Sequence, residues 1–151
     1  MNTQFKLAVY DACLESIKSK IDIIADALVD AMEAGNDESK SSAGDKHEVG
    51  KAMMQLEQEK LSAQLDELEK QEEELKRINL NLQNDYVAKG SLVYTNQGYL
   101  FVGIGLGRIK IGDQVVSVVS TSSPLGKKLI GLKQRESLDV NGTNYEIRKI
   151  F

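Results

Sequence analysis

Apolar residues recur along the N-terminal stretch in alternating steps of three and four: Leu7, Tyr10, Leu14, Ile17, Ile21, Ile24, Leu28 and Ala31. That spacing is the a/d seam of a coiled coil and predicts an amphipathic helix. No Pro or Gly interrupts it before Gly35. Gly35 and Asn36 are residue types that leave a helix in the left-handed conformation, so the helix is expected to end there. About 30 helical residues span roughly 45 Å at 1.5 Å per residue. A second ladder follows, with Met54, Leu61, Leu68, Leu75 and Leu82 spaced seven apart and Leu65 and Ile78 between them. Glu, Gln and Lys fill the positions between, and the charge-rich run Glu57 to Arg77 reads as a solvated helix face. Two long seams joined by a short polar tip, Gly35 to Glu48, imply helices packed antiparallel.

The period changes after Asp85. Tyr86-Val87-Ala88-Lys89-Gly90 reads as a linker, and β-branched and aromatic runs punctuated by Gly follow: 91–95, 99–104, 114–120, 138–140 and 143–150. Asn96-Gln97-Gly98 and Asn141-Gly142 are turn signals, the second typical of a two-residue hairpin. Ser123 suits a helix N-cap, Pro124 the first helical position and Gly131 a helix end. The expected fold is α+β: an antiparallel coiled-coil hairpin over residues 1–85 with an acidic tip at 35–48, then a small, mostly antiparallel β domain over 90–151 with one short helix.

Charge divides the chain at the same place. Residues 1–87 carry 10 Lys and Arg against 19 Asp and Glu, and residues 88–151 carry 9 against 4, which together make the 19 and 23 of the whole chain. The basic half could meet nucleic acid or an acidic protein surface, and sign alone does not choose. A single cysteine, Cys13, excludes an internal disulfide. No apolar run approaches the ~20 residues of a membrane span, and none behind basic residues resembles a secretory signal. A cytoplasmic protein with no membrane association is the expectation.

The candidate chemistry lies at the tip, in Gly44-Asp45-Lys46-His47-Glu48. Asp-x-x-Glu at a helix start is a capping box, with Asp45 meeting the first amides and Glu48 reaching back. The same spacing puts two acids on one face of a first turn. Two such oxygens can share a hard cation such as Mg²⁺, which keeps several waters and so needs further ligands from a partner. Asp37 and Glu38 add charge on the other flank. His47, the only histidine, reads as a solvated tip residue, and Cys13 as packed at or beside the seam. There is no Cys/His set for zinc and no Ser/His/Asp set for acyl transfer. Gly103-x-Gly105-x-Gly107 falls one residue short of a dinucleotide loop and reads as strand irregularity. Arg108, Lys110, Lys127, Lys128, Lys133 and Arg135 form either a basic patch or ordinary solubilising charge.

The stretch Ser122-Ser123-Pro124-Leu125-Gly126-Lys127-Lys128-Leu129-Ile130-Gly131, with Tyr145-Glu146-Ile147 downstream and the tip pattern Gly-Asp-x-x-Glu upstream, resembles the bacterial Gre transcript-cleavage factors. The likeness implies an FKBP-like second domain that docks at the rim of the RNA polymerase secondary channel, with the coiled coil entering it. It implies that Asp45 and Glu48 help hold a Mg²⁺ at the polymerase active site, where backtracked nascent RNA is cleaved. Ser123, Pro124, Leu125, Gly126, Lys127 and Lys128 become the implied partner-binding stretch. The implied partners are RNA polymerase and the nascent RNA of its elongation complex, with DNA contact left open. The factor would be a monomer with no cofactor of its own and no enzyme activity alone. After Glu48 the family usually has Asn, an acid and an aromatic; here Val49-Gly50-Lys51 follow. A non-cleaving channel regulator therefore stays open beside the cleavage factor. A coiled-coil chaperone or scaffold would call for an apolar tip, and a prolyl isomerase for an apolar pocket; the residues offer neither.

Overall fold

The computed structural model describes the backbone of residues 2–39 and 45–151, and the side chains of 3–35 and 48–151. The architecture is α+β. Two long helices, α1 (Asn2–Ser39) and α2 (Asp45–Lys76), precede a six-stranded sheet with one short helix. Contacts divide the chain into two compact units, one of residues 16–72 and one of residues 1–15 with 73–151.

In the first unit the helices run antiparallel. Gln58 Nε2 donates to the Ala31 carbonyl at 3.2 Å, while Ile24, further back on α1, lines a groove with Leu68, further along α2. α1 does not end at Gly35. It continues to Ser39, and a Cβ on Gly35 would come 2.8 Å from Gln58 Nε2. The glycine makes room for the Gln58 amide that reaches Ala31, so its role is close approach between helices rather than termination. Residues 40–44 of the expected tip lie outside the described residues.

In the second unit the α1 seam is not the expected one. Leu7 is 50% exposed, whereas Lys6, Val9 and Cys13 are buried. The sheet also packs against this end of α1: the Phe5 and Tyr99 ring centroids are 5.0 Å apart. The buried face is therefore set by more than the partner helix, which the heptad reading could not see. Tyr10 Oη donates to the Leu75 carbonyl at 3.0 Å.

The heptad ladder of α2 also outlasts the helix. Leu61 and Leu75 are buried, but the helix stops at Lys76 and Leu82 is 61% exposed. Two causes act. Ile78 packs on Gly90, where a Cβ would meet its Cγ2 at 2.6 Å. Asn79 Oδ1 accepts from the Asn81 amide at 3.0 Å, offering the backbone a turn in place of the next helical bond. The expected linker is pinned as well: Val87 is buried, its amide donates to Leu132 O and its carbonyl accepts from Gly131 N, both at 2.8 Å.

The strands are β1 (Leu92–Thr95), β2 (Gly98–Gly103), β3 (Gly107–Ile111), β4 (Gln114–Ser120), β5 (Ser137–Val140) and β6 (Thr143–Ile150), with helix α3 (Pro124–Leu129) between β4 and β5. Their order is β3-β4-β2-β1-β6-β5. All neighbours are antiparallel except β2 and β4, which run parallel from Tyr99↔Val116 to Gly103↔Ser120. The sheet is mostly antiparallel, as expected, with β2 and β4 its parallel pair, and β3 is a strand that the glycine-rich reading of 103–107 missed. The β5–β6 hairpin turns at Asn141 (φ 52) and Gly142 (φ 81), the two positive φ values of a type I′ turn. Val87, Val93, Leu100, Val102, Leu129, Leu138 and Ile147 form the core of this unit.

Candidate functional site

Two places carry the candidate residues. The first is the start of α2. Asp45 is the first helical residue and Glu48 lies in the same turn, with its side chain exposed. Gly44 and the side chains of Asp45 and His47 lie outside the described residues. Helix geometry sets residues i and i+3 on one face, and the N-terminal end of a helix favours negative charge there. Capping and presenting carboxylates are thus served by the same turn. From Asp45 to Glu72 the helix covers roughly 40 Å at 1.5 Å per residue. Among the described residues there is no group of three or more His, Cys, Asp and Glu able to hold a metal. A pair of carboxylates supplies too few oxygens for a resident Mg²⁺ site.

The second place is α3 and the loop before it. Ser123, with φ −71 and ψ 158, is the N-cap. Its Oγ accepts from the Gly126 amide at 3.0 Å and donates to the Ser120 carbonyl at 2.7 Å. Pro124 opens the helix, where its fixed φ suits and its missing N–H costs nothing. Gly126 is buried against the end of β4, and a Cβ there would strike Ser120 O. Leu125 packs against the core beside Leu129. Of the six expected partner-binding residues, Ser123, Leu125 and Gly126 build the loop. Pro124, Lys127 and Lys128 are exposed. Lys128 Nζ donates to the Asp139 carbonyl at 2.8 Å, which ties α3 to β5.

Lys127 also borders a shallow apolar groove of about 510 Å³, with Tyr86 and Ile130 among its walls, both large and exposed. Sequence reasoning missed these two. Tyr86 lay in the supposed linker, and Ile130 was noted only as part of the Ser122–Gly131 stretch. The signal available was Ile130 next to Gly131, after Leu129 had already supplied the inward-facing position. The six basic residues do not sit on one element. Arg108 and Lys110 lie on β3 at one edge of the sheet, Lys127 and Lys128 on α3, and Lys133 and Arg135 in the loop before β5. No described helix is long and apolar enough to cross a membrane.

No family model matches the chain, and no curated protein matches it. Among solved structures it is similar to one described as "Structure of the transcription factor Gfh1", with 20% sequence identity, 89% of each chain covered and a TM-score of 0.36.

Proposed function

We propose that this chain is an accessory transcription elongation factor of the Gre type. It binds RNA polymerase through its basic β unit and inserts the helical hairpin into the secondary channel. There it stimulates cleavage of backtracked nascent RNA. The observation that carries the reading is the placement of Asp45 and Glu48 in the first turn of α2, with Glu48 exposed and the pair at the far end of a long antiparallel hairpin. The exposed Pro124, Lys127 and Lys128 of the Ser-Pro-Leu-Gly segment support a docking face on the other unit.

In this reading Asp45 and Glu48 would hold a Mg²⁺ together with polymerase ligands, and that ion supplies Lewis-acid stabilisation and a polarised water. The chain itself contributes two anionic oxygens on a rigid helix, carried to a site it does not otherwise build. It therefore has no hydrolytic activity alone, and it works where polymerase works, in the cytoplasm.

The test is RNA cleavage in a backtracked elongation complex. Wild type is expected to raise the cleavage rate over polymerase alone by at least tenfold. Asp45→Asn with Glu48→Gln is expected to remove that gain while leaving polymerase binding intact. Cleavage no faster with wild type than without it would sink the cleavage role. Val49, 61% exposed directly after Glu48, favours a second reading, since it sets an apolar side chain beside the acid. A non-cleaving channel regulator would bind polymerase with the same affinity and change transcription without releasing RNA fragments.

A further inference from the structure

Lys6 is 4% exposed, a degree of burial that lysine rarely reaches without a counterion. Its ammonium carries three donors. Among the described residues its one hydrogen bond runs to the Leu80 carbonyl at a long 3.4 Å, and no carboxylate lies within 4.0 Å. Burial holds its pKa below 10.5. The side chain lines a cleft of about 550 Å³, within the few hundred cubic ångströms common for small-ligand sites. Thr3, Gln83 and Asn84 offer hydroxyl and amide groups to the same cleft, and Leu80 and Ile150 offer apolar surface. Lys149 also lines it, with Nζ 5.1 Å above the centroid of the Phe151 ring, another wall. The ionisable side chains of the lining are two lysines and one acid, Asp85.

We propose that this cleft binds a small organic anion, with a carboxylate or phosphate head on Lys6 and Lys149 and an apolar body against Leu80, Ile150 and Phe151. An ammonium with two donors to spare, in a cleft lined by both polar and apolar residues, selects for that combination. A bare inorganic ion would use the lysines and leave the apolar part of the lining uncovered. A neutral ligand would leave the buried charge uncompensated. The site is separate from the tip acids and from α3, so its fate does not bear on the cleavage reading.

The experiment is a titration of the ¹⁵N-labelled full chain, followed by amide chemical shifts, with benzoate, phenyl phosphate, inorganic phosphate and benzyl alcohol. Saturable shifts are expected at Thr3, Lys6, Gln83 to Asp85 and Lys149 to Phe151. The better of benzoate and phenyl phosphate identifies the head group, and it should bind at least tenfold tighter than inorganic phosphate, with benzyl alcohol giving no saturable shift. Lys6→Met is expected to weaken binding tenfold or more. Lys149→Gln should weaken it several-fold, and it decides the matter should Lys6→Met fail to fold. Unsaturable shifts, shifts of equal size at the exposed Lys127 and Lys128, or unchanged affinity in both variants would overturn the proposal.

Discussion

At the scale of single residues, the same side chain types do opposite work according to what surrounds them. Cys13 is buried, and desolvation pushes its thiol up to about 12. The thiolate is the reactive form, so native Cys13 should react with Ellman's reagent at pH 8 on the order of 100-fold more slowly than free cysteine. Adding denaturing urea should restore the ordinary rate. Gly126 is fixed by sterics, because the atom it would strike is backbone, which cannot swing aside as a long side chain can. Gly126→Ala should cost about 2–3 kcal/mol in urea denaturation. Ser123→Ala, which removes only the cap, should cost about 1 kcal/mol. The Ser-Pro-Leu-Gly segment was legible as a helix start from residue types alone. Its tight seat on Ser120 was not, since that needs the tertiary neighbour. The tip pair was legible only as a choice between cap and chemical tool, because a turn that caps is also a turn that presents acids.

At the scale of elements, periodicity told well where helices exist and poorly where they stop. Leu75 and Leu82 hold equivalent places in the ladder, yet one is buried and the other is not. Leu75→Ala should therefore cost about 2–5 kcal/mol, and Leu82→Ala less than about 0.5 kcal/mol. Equal losses would restore the longer helix. Ile78, Asn79 and Gly90 decide the stop, and only Asn79 acts through neighbours in sequence. The strands fared in the same way. Residues 114–120 and 143–150 were read with the bounds observed. β3 was hidden because its outward Arg108 and Lys110 alternate with Ile109 and Ile111 right after a glycine cluster. The parallel partnership of β2 and β4 was hidden because β3 lies between them in sequence but outside them in the sheet. Short-range patterns carry no information on that placement.

At the scale of the whole molecule, buried titratable groups make stability depend on pH in two opposed ways. Lys6 has its folded pKa lowered below 10.5, so between that lowered value and 10.5 the unfolded chain binds more protons and stability rises with pH. Cys13 has its folded pKa raised from 9.0 to about 12, so its contribution is lost as pH climbs through that interval. Comparing wild type with Lys6→Met by urea denaturation from pH 7 to 10 isolates the lysine. The variant is expected to have the higher midpoint at pH 7, with the gap closing as pH rises. A gap that stays constant would mean that Lys6 does not deprotonate in that range.

The division into two units has a further consequence in time. One unit is an unbroken run, residues 16–72, placed inside the sequence of the other. A chain growing from its N-terminus finishes that run while the other unit exists only as its first fifteen residues. Tyr10 and Lys6 wait for the carbonyls of Leu75 and Leu80, and β1 waits for β6, which pairs with it from the far end of the sequence. A nascent chain paused between residues 120 and 143 thus carries a completed hairpin and an unclosed sheet, whose bare strand edge is the feature that invites misassembly.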